Sequence, residues 1–99
     1  MNMQNLMAQA QKMQRDIENK KKELDSMEFV GHSEWVEVLF TGDKVIKNVK
    51  ILKEGNIDDD DKEILSDMFQ IAVKDAFIKI NEETDKMLGK YSNMMNGLF

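Results

Sequence analysis

The sequence predicts an α+β chain in which a long helix is followed by a small antiparallel sheet and then by a second long helix. Three observations predict it. Apolar residues recur at a helical period over the first 27 residues, the period becomes two between about residues 28 and 52, and a helical period returns after Gly55. The chain has 99 residues. A single domain spanning 1–99 is expected, with a core small enough that self-association is a natural way to bury more surface.

The first helix is read from Met3 to Met27, a stretch free of Gly and Pro. Met3, Leu6, Ala10, Met13, Ile17, Leu24 and Met27 form a seven-residue repeat, and Lys20 stands where one apolar residue is missing. Gln4, Gln9, Gln11 and Gln14, with Lys and Glu, supply a solvated remainder of good helix propensity. So thin a stripe needs something to pack on: the second helix, a sheet, or a second copy. A lysine on the seam can snorkel outward, mark register, or show where the helix leaves the packed body. The last of these is the expectation, with the far end of the helix, beyond Lys20, projecting.

The middle section reads as two strands and a candidate third. Val36, Val38 and Phe40 share one face of Trp35–Thr41, and Val45, Val49 and Ile51 are expected to form a like face in Val45–Ile51. Gly42-Asp43 is the turn between them. Gly31 with His32-Ser33 marks another turn, after a short stretch, Glu28-Phe29-Val30, that fits a further strand. Such a sheet gains by joining an equivalent sheet across a two-fold axis.

Asp58-Asp59-Asp60-Asp61-Lys62-Glu63 opens the third section. Acids at this place suit a helix start, where side-chain oxygens cap free N–H groups and negative charge meets the positive end of the dipole. An EF-hand would require alternating ligands, a central glycine and a closing glutamate, and the run lacks that order. Leu65, Met68, Ala72, Ala76, Ile80 and Met87, widened by Ile64, Phe69, Val73 and Phe77, then mark a helix to about Leu88, with Gly89 as its stop. Residues 90–99 are left as a tail in which Met94, Met95, Leu98 and Phe99 either pack back or stay mobile.

Composition narrows function. With no cysteine, a disulfide framework, a thiolate metal site and a cysteine nucleophile are all excluded. His32 is read as an exposed turn residue with no triad around it, and Gly31, Gly42, Gly55, Gly89 and Gly97 are too scattered for a phosphate loop. No catalytic residue, metal ligand, cofactor or small-molecule substrate is therefore expected, and the chain reads as non-enzymatic. The Gln-rich N-terminus lacks an apolar leader and no run of about 18 apolar residues exists, so no membrane and a cytoplasmic location are expected. The methionines on the helical stripes read as core or interface fillers.

Net charge is −5, and ten of the acids fall in residues 58–99 against five Lys. That balance repels nucleic acid on average, although a dimer can still present a local basic surface. Lys12, Arg15, Lys20, Lys21 and Lys22 lie on the first helix, with Lys20 to Lys22 spread over a broad sector. They form either a phosphate-binding set on a projecting helix or an ordinary solvated face balanced by Glu18, Glu23 and Asp25.

The stretch Asn5-Leu6-Met7-Ala8-Gln9-Ala10-Gln11-Lys12-Met13-Gln14 resembles the N-terminal signature of the YbaB/EbfC family of bacterial nucleoid-associated proteins. The likeness continues through Val36-Glu37-Val38, Thr41-Gly42, Val49-Lys50-Ile51, Asp61-Lys62-Glu63-Ile64-Leu65-Ser66-Asp67, Ala72 and Asp75-Ala76. The resemblance implies a three-stranded antiparallel sheet between the helices and a homodimer formed through the sheets, with long helices projecting like the arms of tweezers. It further implies binding to double-stranded DNA with weak sequence preference, mainly at phosphates, and a place in nucleoid organisation or gene regulation. The DNA-facing residues would be Lys12, Arg15, Lys20, Lys21 and Lys22, with Lys86 and Lys90 at the margin. The rival expectation is a protein-interaction or scaffolding dimer that recruits its partner through the acidic second helix and Met-rich tail.

Overall fold

In the computed structural model, which describes residues 2–92, helix α1 (Met3–Ser26) leads into strands β1 (Glu28–His32), β2 (Val36–Thr41) and β3 (Ile46–Ile51). Helix α2 (Asp61–Leu88) follows, and a single 3-10 turn, Gly89–Tyr91, ends the described elements. Met94, Met95, Leu98 and Phe99 of the expected tail lie outside the described residues. The architecture is the expected α+β order. α1 starts where the Asn2 side chain accepts the Asn5 N–H at 2.9 Å, which satisfies one of the helix's free donors.

The sheet runs β1-β2-β3 with both pairs antiparallel. Gly31 and His32 pair with Val38 and Glu37, so they belong to β1, and the turn falls at residues 33–35 instead of at Gly31. Val36, Val38 and Phe40 are buried as expected, packed with Ala72, Ala76 and Ile80 of α2. Phe40 meets the Phe77 ring edge-on with centroids 5.0 Å apart.

Gly31 is not a turn residue because its backbone is where α2 touches the sheet. A Cβ at this position would lie 2.0 Å from the Ala72 carbonyl oxygen and 2.8 Å from the Ala76 Cβ. Glycine opposite two alanines lets helix and strand approach more closely than bulkier side chains at these positions would allow. Two side chains of α2 then tie down β1. Asp75 accepts the His32 N–H at 2.9 Å, and the Lys79 ammonium donates to the Val30 carbonyl at 2.7 Å while pairing with Asp75 at 3.1 Å. These contacts satisfy strand groups that would otherwise be a template for another chain.

β3 departs from expectation. Ile46, Val49 and Ile51 stand opposite Phe40, Val38 and Val36, and cross-strand partners share a face. Yet Val49 is 40% exposed and Ile51 48%. The reason is geometric: α2 packs over β1 and β2, so its cover ends before the third strand. Val45 precedes β3, beyond a register shift at Leu39/Phe40, and is exposed as well.

Both ends of α2 also differ in detail. Asp60 makes no side-chain cap; instead Asp61 accepts the Asp58 N–H at 3.0 Å and pairs with Lys53 at 3.4 Å. At the other end Gly89 has φ −57°, so the helix closes through the 3-10 turn without a left-handed glycine.

Gly31→Ala is expected to lower stability by about 3 kcal/mol, as overpacking against rigid backbone does, measured by urea unfolding; an unchanged midpoint would refute the close contact. The second expectation concerns acid. Asp75 is held below its ordinary value first by the His32 N–H and then by Lys79, and Asp61 first by the Asp58 N–H and then by Lys53. A lowered carboxylate contributes stability above its unfolded value, about pH 4, which is lost as pH falls through the folded value. Asp75→Asn should therefore cost about 1 kcal/mol at pH 7, discounted for partial exposure, and little at pH 2, as read by unfolding at both.

Candidate nucleic-acid interface

The C-terminal half of α1 is fastened to the body. Ile17 and Leu24 are buried with Leu88 and Tyr91 in a second small core, flanked by Met27, Phe29 and Met87. Gly42 completes the attachment: its N–H donates to the Met27 carbonyl at 2.9 Å, and a Cβ there would lie 1.9 Å from the Leu24 carbonyl oxygen. Glycine at the strand end therefore admits the last turn of the helix. Tyr91, assigned from sequence to the tail, belongs to this packed junction.

The N-terminal half is different. Every residue from Asn2 to Arg15 is exposed, and Ile17 is the first buried one. Residues 3–15 thus form an arm of about 20 Å, at 1.5 Å per residue, in a molecule 70 Å long and 19 Å by 16 Å across. Here the expectation at Lys20 is reversed. Lys20 sits between the buried Ile17 and Leu24, so it marks the root, and the helix projects on the other side of it. The thin seam has its partners in α2 and the 3-10 turn, and these reach only as far as Ile17.

The candidate basic residues divide accordingly. Lys12, Arg15 and Lys22, with Asn19, follow a spacing of three, four and three, which places them on one line along the helix face opposite the seam. All four are exposed, and among the described residues no ion pair engages Lys12, Arg15 or Lys22. Lys20 is half-buried on the seam side. Lys21 pairs with Asp25 at 3.2 Å and lines a cavity of about 330 Å³ together with Asp43, Lys44 and Thr84. Lys86 is exposed on the last turn of α2, one turn beyond Glu82 and Glu83. Lys90 lies over the Tyr91 ring, 5.0 Å from its centroid, at the root of the arm.

The five lysines and arginines of α1 thus divide into a stripe of three and two residues drawn into the root, while Lys86 and Lys90 lie apart, on and just after α2. Asn19 and the exposed Gln4 and Gln11 share the face of the stripe, a grouping that residue type alone does not show. The 100° turn per residue was the signal that could have found them.

A basic line running from the packed half of α1 onto its bare arm can place positive charge against a phosphate backbone, and comparison with known proteins bears on this directly. The profile of the YbaB/EbfC DNA-binding family matches residues 1–95. The chain belongs to the YbaB/EbfC family. Its relatives include a nucleoid-associated protein of Streptococcus uberis, 44% identical over 97 residues, covering 96% of this chain and 97% of that one. A nucleoid-associated protein of Enterococcus faecalis is 41% identical over 98 residues, with 97% and 93% coverage, and one of Ligilactobacillus salivarius is 42% identical over 100 residues, with 99% and 95%. The YbaB/EbfC match spans arm, sheet and α2 together. Among the described residues no helix is long and apolar enough to cross a membrane.

Ile17→Ala is expected to cost about 3 kcal/mol through the cavity it leaves, and to raise amide exchange in residues 16–26 while residues 3–14 exchange fast in both proteins. Equal exchange along the whole of α1 in the parent protein would contradict an arm rooted at Ile17.

Proposed function

We propose that the protein is a homodimeric, nucleoid-associated DNA-binding protein without enzymatic activity, which holds duplex DNA through phosphate contacts made by the stripe Lys12, Arg15 and Lys22. The observation that carries the reading is that stripe: three exposed cations in line on α1, Lys12 and Arg15 on the arm and Lys22 on the outer face of the packed half, in a chain of the YbaB/EbfC DNA-binding family. The nucleoid-associated names of its relatives support the cellular place, and cytoplasm and nucleoid are its proposed location.

Acidity is compatible with this reading because the charges are segregated. The run Asp58 to Asp61 lies at the start of α2, a helix of 28 residues and therefore about 42 Å long, while the arm root packs at its end. At that separation, several Debye lengths in physiological salt, the run is screened from the stripe. Affinity then comes from counterions released as lysine and arginine replace them, which predicts weak sequence preference and strong salt dependence.

The dimer is supported by the uneven sheet. The β1 side is tied by Asp75 and Lys79, whereas β3 has an exposed apolar face, Ile46, Val49 and Ile51, and α2 carries an apolar groove of about 490 Å³ lined by Phe69, Val73, Phe77 and Ile78. Exposed apolar surface of this extent on a small domain marks an interface, and a second copy offers the same surface in return.

Binding to a generic duplex should weaken steeply with salt, and Lys12→Ala, Arg15→Ala and Lys22→Ala should each lower the slope of log affinity against log salt by about 1 per lost phosphate contact. Lys21→Ala should leave that slope near its parent value. Salt-independent binding, or equal loss at Lys21, sinks the assignment. Light scattering in dilute solution should give a dimer mass, and Val49→Glu with Ile51→Glu should reduce it to a monomer.

A further inference from the structure

The arm has a second face that phosphate binding does not use. Met3 is 76% exposed, Leu6 46%, Met7 59% and Met13 38%, and Ala10 is exposed between them. These residues continue, turn by turn, the same seam that at Ile17 and Leu24 is buried against Leu88 and Tyr91. We infer that this stretch, residues 3–13, is a self-association surface whose occupant is the same stretch of α1 from another dimer, so that arms pair and join separate dimers.

Two features of the arm select this occupant. A three-four repeat is self-complementary, since the side chains at its apolar positions fill the gaps between the same positions of an identical helix. Charge is the second. Residues 2–11 carry no charged side chain, while the chain as a whole stands at −5. The arm is therefore a surface on which two copies meet without repulsion, where an acidic or basic partner of another kind gains nothing and a phosphate finds no cation. Gln9 and Gln14 border the seam and can bond across it in either direction. The basic stripe lies on the opposite face and stays free for DNA.

Eleven residues give an overlap of about 16 Å, too little for the area of about 1,200 Å² at which stable interfaces begin. Pairing of free dimers is accordingly weak. Dimers held side by side on DNA face one another at high effective concentration, and there weak contacts add to cooperative binding and to bridging between duplexes. This consequence rests on the proposed DNA binding; the pairing itself does not.

The test uses the full chain and a charge-neutral variant, Met3→Gln with Leu6→Gln, Met7→Gln and Met13→Gln, which alters no buried residue and keeps helix propensity. Light-scattering mass without DNA should rise above the dimer with concentration in the parent and not in the variant. Bead-bound long duplex should capture a second labelled duplex through the parent and about tenfold less through the variant, with affinity for one short duplex equal within about twofold. A variant that associates and bridges like the parent overturns the inference. So does a parent that never exceeds dimer mass while binding short duplex normally. Failure of the parent to bind short duplex counts against the DNA reading alone, since the mass series still decides the pairing. A chain shortened after Ser92 should associate as the full chain does; markedly stronger association would mean that the protein's own last residues cover the seam, and would overturn the proposal.

Discussion

Ala72 and Ala76 rest on the backbone of Gly31, and the position of α2 follows from that contact. With the helix drawn close to β1, its remaining apolar side chains reach Val36, Val38 and Phe40 on β2, and β3 is left outside its cover. The same placement carries Leu88 and Tyr91 at the far end of α2 to Ile17 and Leu24 of α1. One close approach between a glycine and two alanines thus decides both what the subunit leaves uncovered and where its first helix is held.

The division of α1 follows from the reach of its supports. A helix of 24 residues is packed only where α2, the 3-10 turn and Gly42 touch it, and the arm beyond Ile17 is carried by its own backbone bonds. Isolated helices of that length are marginal in water, so continuity with the packed half, the Asn2 cap and the helix-favouring Gln, Ala, Met and Leu side chains all matter. The arm separates two chemistries by face. Cations line one side, and thioethers and leucine line the other.

Most of the element order was legible in the sequence, because periods of 3.5 and 2 are properties of local geometry that a sequence displays directly. The faces of β2 and the stripe of α2 around Ala72, Ala76 and Ile80 were legible for the same reason. Three things were not. Gly31 signals a turn and a close helix contact with the same letter, and only the helix across from it distinguishes the two. The exposure of Val49 and Ile51 depends on how many strands one helix can cover, which no pattern within β3 encodes. The direction in which α1 projects depends on where Leu88 and Tyr91 meet it, a contact about 70 residues away in sequence, so Lys20 could be recognised as a boundary but not oriented. The basic site was partly legible: its five candidates on α1 were identifiable by type, while their sorting into stripe and root needed both the helical turn and the packing.

The root at Ile17, Leu24 and Gly42 makes the arm a cantilever. Along α1 the distances between Lys12 and Arg15 on the beam and Lys22 at the clamp are fixed by helix pitch, as the marks on a ruler are. The position of its tip depends on the angle at the clamp, so small rotations there are multiplied along the beam. The DNA contact proposed above would therefore meet a charge spacing that is fixed along the helix and an arm whose angle to the body can change without altering the contacts inside the core.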